Sequence, residues 1–276
     1  MKKSTIITLI VAGVLIGAGI IMIAVSGMNG GMSAMCWDKQ EHRIVAYNQE
    51  EMQRTQSKIK IEAFDSIQIS SWDANVELIP SDDYYIEYCV SAPEDFNYSI
   101  IDGKLVFAED NSRYLYLSWG DLFESAEING DRYVKVYYPS DADMYVVDID
   151  LDMGSVSIDS LNIGSADIDL DMGTLVIKNS YIGSMKAELD MGSLDMENVT
   201  VSGAINAELD MGSANLMMVG KDNNGESIKY GYKLETDMGN VSVNGGKYDS
   251  GHTAYLDGNV MINISCDMGD IELKLE

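Results

Sequence analysis

The sequence predicts an all-β chain: a single-stranded β-solenoid (β-helix-like) with rungs of about 19–20 residues, preceded by one N-terminal transmembrane helix. Three observations carry this. Asp-Met-Gly is written six times, at 152–154, 171–173, 190–192, 210–212, 237–239 and 267–269. From Lys60 onward apolar residues alternate between turn signals, and no segment from Ser26 to Glu276 keeps a helical period. Thr5 to Ser26 holds no charge.

Residues 1–4 read as a cytoplasmic tail and 5–26 as the membrane helix. As a helix those 22 residues span ~33 Å, enough for a bilayer. Lys2 and Lys3 precede them, which places the N-terminus inside and the bulk of the chain in an extracytoplasmic position. A cleaved signal peptide is the competing reading, with Ala24-Val25-Ser26 as its small-residue site. The apolar stretch exceeds a signal core of ~7–15 residues, so the uncleaved anchor is preferred. Gly13 and Gly17 form a GxxxG, a weak dimerisation signal in a membrane helix.

Residues 27–58 read as a juxtamembrane linker, first rich in Gly and Met (GMNGGMSAM), then polar (NQEEMQRTQSK). The apolar pattern of 48–58 is too thin to assign a helix there. Residues 59–146 read as an N-terminal Tyr-rich β region continuous with the solenoid. IKIEAF, SIQIS, NVELIP, YYIEYCVS, GKLVFA, YLYLSW and RYVKVYYP are strand-like, separated by PSDD, APED, DG, NGD and PSDAD. Eleven of the 16 tyrosines fall in 47–145.

The repeat occupies 147–276. Its units begin at Ile149, Ile168, Ala187, Ala207, Leu234 and Ile264, spaced 19, 19, 20, 27 and 30 residues apart. The polar stretches 219–233 and 244–259 read as loops leaving the coil. Alternation within a unit points Leu in, Asp out and Met in, and glycine turns the corner. One inward column is Leu151, Leu170, Leu189 and Leu209, continued by Thr236 and Cys266. A second is Met153, Met172, Met191, Met211, Met238 and Met268. A third is Val156, Leu175, Leu194, Ala214, Val241 and Ile271. Each outward Asp is expected to accept a hydrogen bond from a backbone N–H two residues on.

The formal charge is −27; without Lys2 and Lys3, 45 acidic residues face 16 basic ones, leaving −29 on the exported part. Such a field repels nucleic acid, which is excluded as a partner, and accumulates cations. Cys36, Cys89 and Cys266 form no CxxC and imply no disulfide framework. Cys266 stands where the repeat puts Leu and reads as a small core residue.

The string FDSIQISSWDANVELIPSDDYYIEYCVSA, followed by IIDGKLVF, VKVYYP and VVDIDLDMGSVSI, resembles the bacterial putative-adhesin β-solenoid family, over roughly 60–276. This sequence writes Met-Gly-Ser/Thr/Asn/Asp where many relatives write Gly-Asp. The resemblance implies a membrane-anchored cell-envelope protein without agreed catalytic residues. Some members look linked to envelope-stress systems.

No Ser-His-Asp order, P-loop or HExxH appears, and the only histidines are His42 and His252. Acidic pairs are so abundant that a two-carboxylate hydrolase site cannot be singled out. The chain is therefore read as a non-enzyme, with no catalytic or cofactor-binding residues. Asp152, Asp171, Asp190 and Asp210 form one outward row, and Asp150, Asp169, Glu188 and Glu208 another. Like charges ~4.8 Å apart repel by ~0.9 kcal/mol even at water's dielectric. The first row is thus a weak calcium site, beside the preferred reading of a solvated acidic face. Thioethers suit Cu(I), but the methionine column reads as inward, so packing is preferred. The expected role is an adhesin-like or cell-envelope scaffold, held to the membrane by its N-terminal helix and binding a surface protein or glycan. A component of an envelope-stress pathway and a carbohydrate-active β-helix are the alternatives.

Overall fold

The computed structural model describes residues 34–39, 41–47, 53–91, 95–110, 114–117, 132–222, 225–248 and 254–275. The tail at 1–4 and the membrane helix expected over 5–26 lie outside the described residues. Among the described residues no helix is long and apolar enough to cross a membrane.

The described chain is all-β. Its strands are β1 (Ala34–Asp38), β2 (Arg43–Tyr47), β3 (Gln53–Lys60), β4 (Ser66–Ser71), β5 (Asn75–Ser81), β6 (Tyr85–Ser91), β7 (Asp95–Ile101), β8 (Lys104–Asp110), β9 (Tyr114–Leu117) and β10 (Tyr133–Pro139). There follow β11 (Asp143–Met153), β12 (Val156–Asp159), β13 (Asn162–Lys178), β14 (Tyr181–Val201), β15 (Ala204–Met218), β16 (Tyr230–Met238), β17 (Val241–Val243), β18 (Gly246–Tyr248), β19 (Ala254–Leu256) and β20 (Val260–Leu275).

One unit is described at 34–39, 41–47, 53, 91 and 114–117. Its described part is an antiparallel sheet in the order β2–β1–β9, with Cys36 opposite Val45 and Tyr116. Within 27–58 the described residues include β1, β2 and most of β3. In β3 the alternation is nearly all polar, and only Ile59 packs against the core, which is why the strand was hidden in the sequence.

The second unit gathers 54–90, 95–110 and 131–276. Here strands one repeat apart lie parallel and in register. Ile168 stands opposite Ile149 and Ala187, Leu170 opposite Leu151 and Leu189, and Leu175 opposite Val156 and Leu194. Like residues thus stack at about 4.8 Å, and the Leu column and the Val/Leu/Ala/Ile column are buried along their whole length. Each fully buried Leu or Ile contributes about 1.5–3 kcal/mol, so the alternation read from sequence is the main source of stability.

The order of the stack departs from the order of the chain at both ends. The last strand, β20, inserts between β15 and β16: Cys266 pairs with Leu209 on one side and Thr236 on the other. At the other end β4 lies between β8 and β11, and β5 between β10 and β12. Ile67, Ile69, Val76 and Leu78 are therefore a full level of the repeat without its Asp-Met-Gly signature, and all four are buried. Antiparallel strands flank both ends: β6 and β7 lie against β10 and β8, and β18 and β19 against β17 and β16.

Glycine at the corner is a packing requirement. A Cβ on Gly173 would meet the Gly154 carbonyl oxygen at 1.6 Å, and one on Gly192 the Gly173 oxygen at 1.9 Å. Gly154, Gly212 and Gly269 also have φ between +140° and +154°, a region L side chains avoid. Ala74 takes this position beside Gly154, where the level lacks the Asp-Met-Gly signature.

Candidate functional site

The Asp-Met-Gly corner is repeated on six levels, and its in-register methionines run in the spatial order 153, 172, 191, 211, 268, 238. The expected inward Met column is overturned. Met172, Met191, Met211 and Met268 are 40–44% exposed and Met238 61% exposed, and Met153 is half-buried. The reason is local. The pairing steps from Leu170↔Leu189 to Met172↔Met191 with the intervening Asp left out of the ladder. The backbone already turns at Asp, so strict alternation fails one residue before the glycine, and Asp and Met both end on the outside.

Asp152, Asp171, Asp190 and Asp210 are exposed, as are Asp237 and Asp267. The backbone hydrogen bond expected for each of the four is not formed among the described residues. Their setting is electrostatic. The Asp152 carboxyl is pushed above its ordinary value, first by partial burial and then by Asp171 and Asp150. Asp169 is raised likewise, by burial and by Asp150, Glu188, Asp171 and Asp190. Lys186 relieves this second row by pairing with Glu188 at 2.5 Å, and beyond Glu208 and Ser265 Lys233 pairs with Glu235 at 2.7 Å. Among the described residues no three His, Cys, Asp or Glu side chains converge as a metal site would require.

A second polar constellation was not singled out in the sequence. The Leu column continues beyond Leu151 as Ser71 and then Glu109. The Glu109 carboxylate accepts a hydrogen bond from Ser71 Oγ at 2.6 Å and another from the Trp72 N–H at 3.3 Å. Burial nevertheless pushes its pKa up. Beside it in sequence register, Asp73 pairs with Arg132, their side chains 7% and 15% exposed. A signal for it exists: the inward pair at each corner is seven residues apart, as in Ile149–Val156 and Ile168–Leu175, and Ile69–Val76 keeps the same spacing.

An open depression of about 440 Å³ is lined by Lys60, Ile61, Glu62, Tyr98 and Ile100. Cys89 and Cys266 are free and buried.

No family model matches the chain. No curated protein matches it in sequence. Among solved structures, a putative cell adhesion protein from Clostridium sporogenes is similar over 81% of this chain and 99% of its own, at 13% identity and a TM-score of 0.46. A putative adhesin from Bacteroides fragilis is similar over 80% and 96%, at 11% identity and a TM-score of 0.34. A putative lipid binding protein from Parabacteroides distasonis is similar over 80% and 97%, at 14% identity and a TM-score of 0.28.

Proposed function

We propose that this chain is a non-enzymatic, membrane-anchored, extracytoplasmic β-solenoid that serves as an adhesin-like binding scaffold at the cell envelope. The observation that carries this reading is the row of exposed methionines at 172, 191, 211, 268 and 238, each beside an exposed Asp, repeated in register on five adjacent levels. A stacked backbone holds these side chains at a fixed spacing, which suits an extended macromolecular ligand better than a small substrate. Met supplies adaptable apolar contact and Asp excludes anionic partners. Parallel pairing at an offset of one repeat supports the solenoid, and the uncharged Thr5–Ser26 behind Lys2 and Lys3 supports the anchor.

The test uses the full chain expressed in a bacterial membrane. Protease added to intact cells should digest the chain beyond about residue 30, and envelope fractions should be retained by these cells. Met191→Lys with Met211→Lys should abolish retention without unfolding the protein. Protection from protease, a mature N-terminus at Gly27, or undiminished retention by the double variant overturns the reading.

A further inference from the structure

Six thioethers in one row, five of them exposed, call for a cause. Their side chains are not filling the interior, since five of them are at least 40% exposed and the inward positions of the same corners are taken by Leu, Cys, Thr, Val, Ala and Ile. A solvent-facing corner would be served by Ser or Thr, which the chain uses two residues further on at Ser155, Thr174, Ser193 and Ser213.

We infer that this methionine ladder binds a soft monovalent cation, Cu(I), bridged between thioethers of neighbouring levels. The softness of the donor decides the metal: thioether sulfur selects Cu(I) over calcium, magnesium and zinc, which prefer oxygen, nitrogen or thiolate. The spacing decides the mode. Parallel in-register strands place equivalent residues ~4.8 Å apart, close to twice a metal–sulfur bond of ~2.3 Å as known for zinc thiolate. One ion held in line by two sulfurs therefore matches the spacing of adjacent levels. Met has three rotatable bonds with which to adjust. Exposed Asp171, Asp190, Asp210 and Asp267 each precede a ladder methionine, so the approach to the row is negative and concentrates cations. The inference does not depend on adhesion, since it needs only the exposed ladder.

The experiment uses the full chain in detergent, without oxygen. Cu(I) is presented as its bicinchoninate complex, and Ag(I) serves as a second probe. The wild type should withdraw Cu(I) from the chromophore, and X-ray absorption should show a sulfur shell. The variant Met172→Leu/Met191→Leu/Met211→Leu keeps Cys36, Cys89, Cys266, His42 and His252, and should lose at least tenfold in affinity or half its capacity. Met191→Leu alone, which interrupts the ladder at its middle, keeps the test open should the triple variant unfold; it should lower capacity while leaving the melting temperature unchanged. Excess calcium should not compete. Equal binding by wild type and variants places the metal on thiols or imidazoles and overturns the inference. So does failure of the wild type to bind either probe, or displacement of the metal by calcium.

Discussion

The carbonyl oxygen of Gly212 lies 1.5 Å from where a Cβ on Gly269 would stand. The two glycines belong to β15 and β20, which the chain visits on either side of β16 and the strands packed on it. β20 thus lies between β15 and β16, with Ile264 against Ala207 on one side and Leu234 on the other. Both of its edges are paired, so the last strand leaves no open edge of its own for another chain to join.

Gly269→Ala should therefore be among the most damaging small substitutions in the molecule. Its Cβ would meet backbone on a neighbouring strand, which cannot swing aside, and its φ of +154° is unfavourable for alanine. A loss of about 3 kcal/mol or more is expected. Gly225→Ala is the comparison: its φ is +80°, but nothing lies within 4 Å of its Cβ, so only the ~1–2 kcal/mol backbone term applies. Denaturant midpoints of the two variants check this; equal midpoints would mean that β20 does not lie against β15.

Arg132→Ala should leave Asp73 buried without its counter-charge and cost about 3–5 kcal/mol. Adding Asp73→Asn removes the orphaned charge, so the double variant should recover part of that loss. A double variant no more stable than Arg132→Ala would show that the pair is not buried as described. Urea titration of all four forms gives the coupling.

Acidity should stabilise the fold over part of the range. The folded-state values of Asp152, Asp169 and Glu109 all lie above their ordinary ones. In the window just above ~4 the folded protein therefore binds more protons than the unfolded chain, so stability grows as pH falls through it and is lost as pH rises. Asp82 and Asp83 are shifted down, by Ser81 and by Lys60 respectively, and act in the opposite sense below ~4. The melting temperature should rise from neutral pH towards the carboxylate range, then fall. Asp169→Asn should raise it at pH 7 and flatten the slope; an unchanged slope would remove the like-charge row as the cause.

What alternation reveals is which side chains face inward while a strand runs straight. Leu151, Leu170, Leu189 and Leu209, and Val156, Leu175 and Leu194 beyond the corner, were legible for that reason, and all are buried. Met172 was misread because the turn begins at Asp171, and a count of two carried across a turn gives the wrong face. Stack order was not legible either. Inward positions of Leu234 and Ile264 are equally good beside Ala207, and nothing local tells that β20 takes the place next to it. The Glu109–Ser71 contact was hidden because both are polar residues in a column otherwise recognised by its leucines.

Leu189 and Met191 separate the two sides of the corner in solution. They are two residues apart and in register with Leu170, Leu209, Met172 and Met211 on the levels above and below. Leu189 is 1% exposed and Met191 44% exposed. Leu189→Ala removes buried apolar atoms from a column that cannot close over the gap, because its neighbours are fixed by strand pairing, and should cost about 2–5 kcal/mol. Met191→Ala removes atoms that already touch water and should cost roughly 1 kcal/mol or less. Glu188→Lys, between Asp169 and Glu208 in the acidic row, exchanges its ion pair with Lys186 for relief of like-charge repulsion and should be close to neutral. Thermal or urea unfolding ranks the three. Similar losses for Leu189→Ala and Met191→Ala would return the methionines to the interior and leave the ladder without an exposed face on which to bind anything.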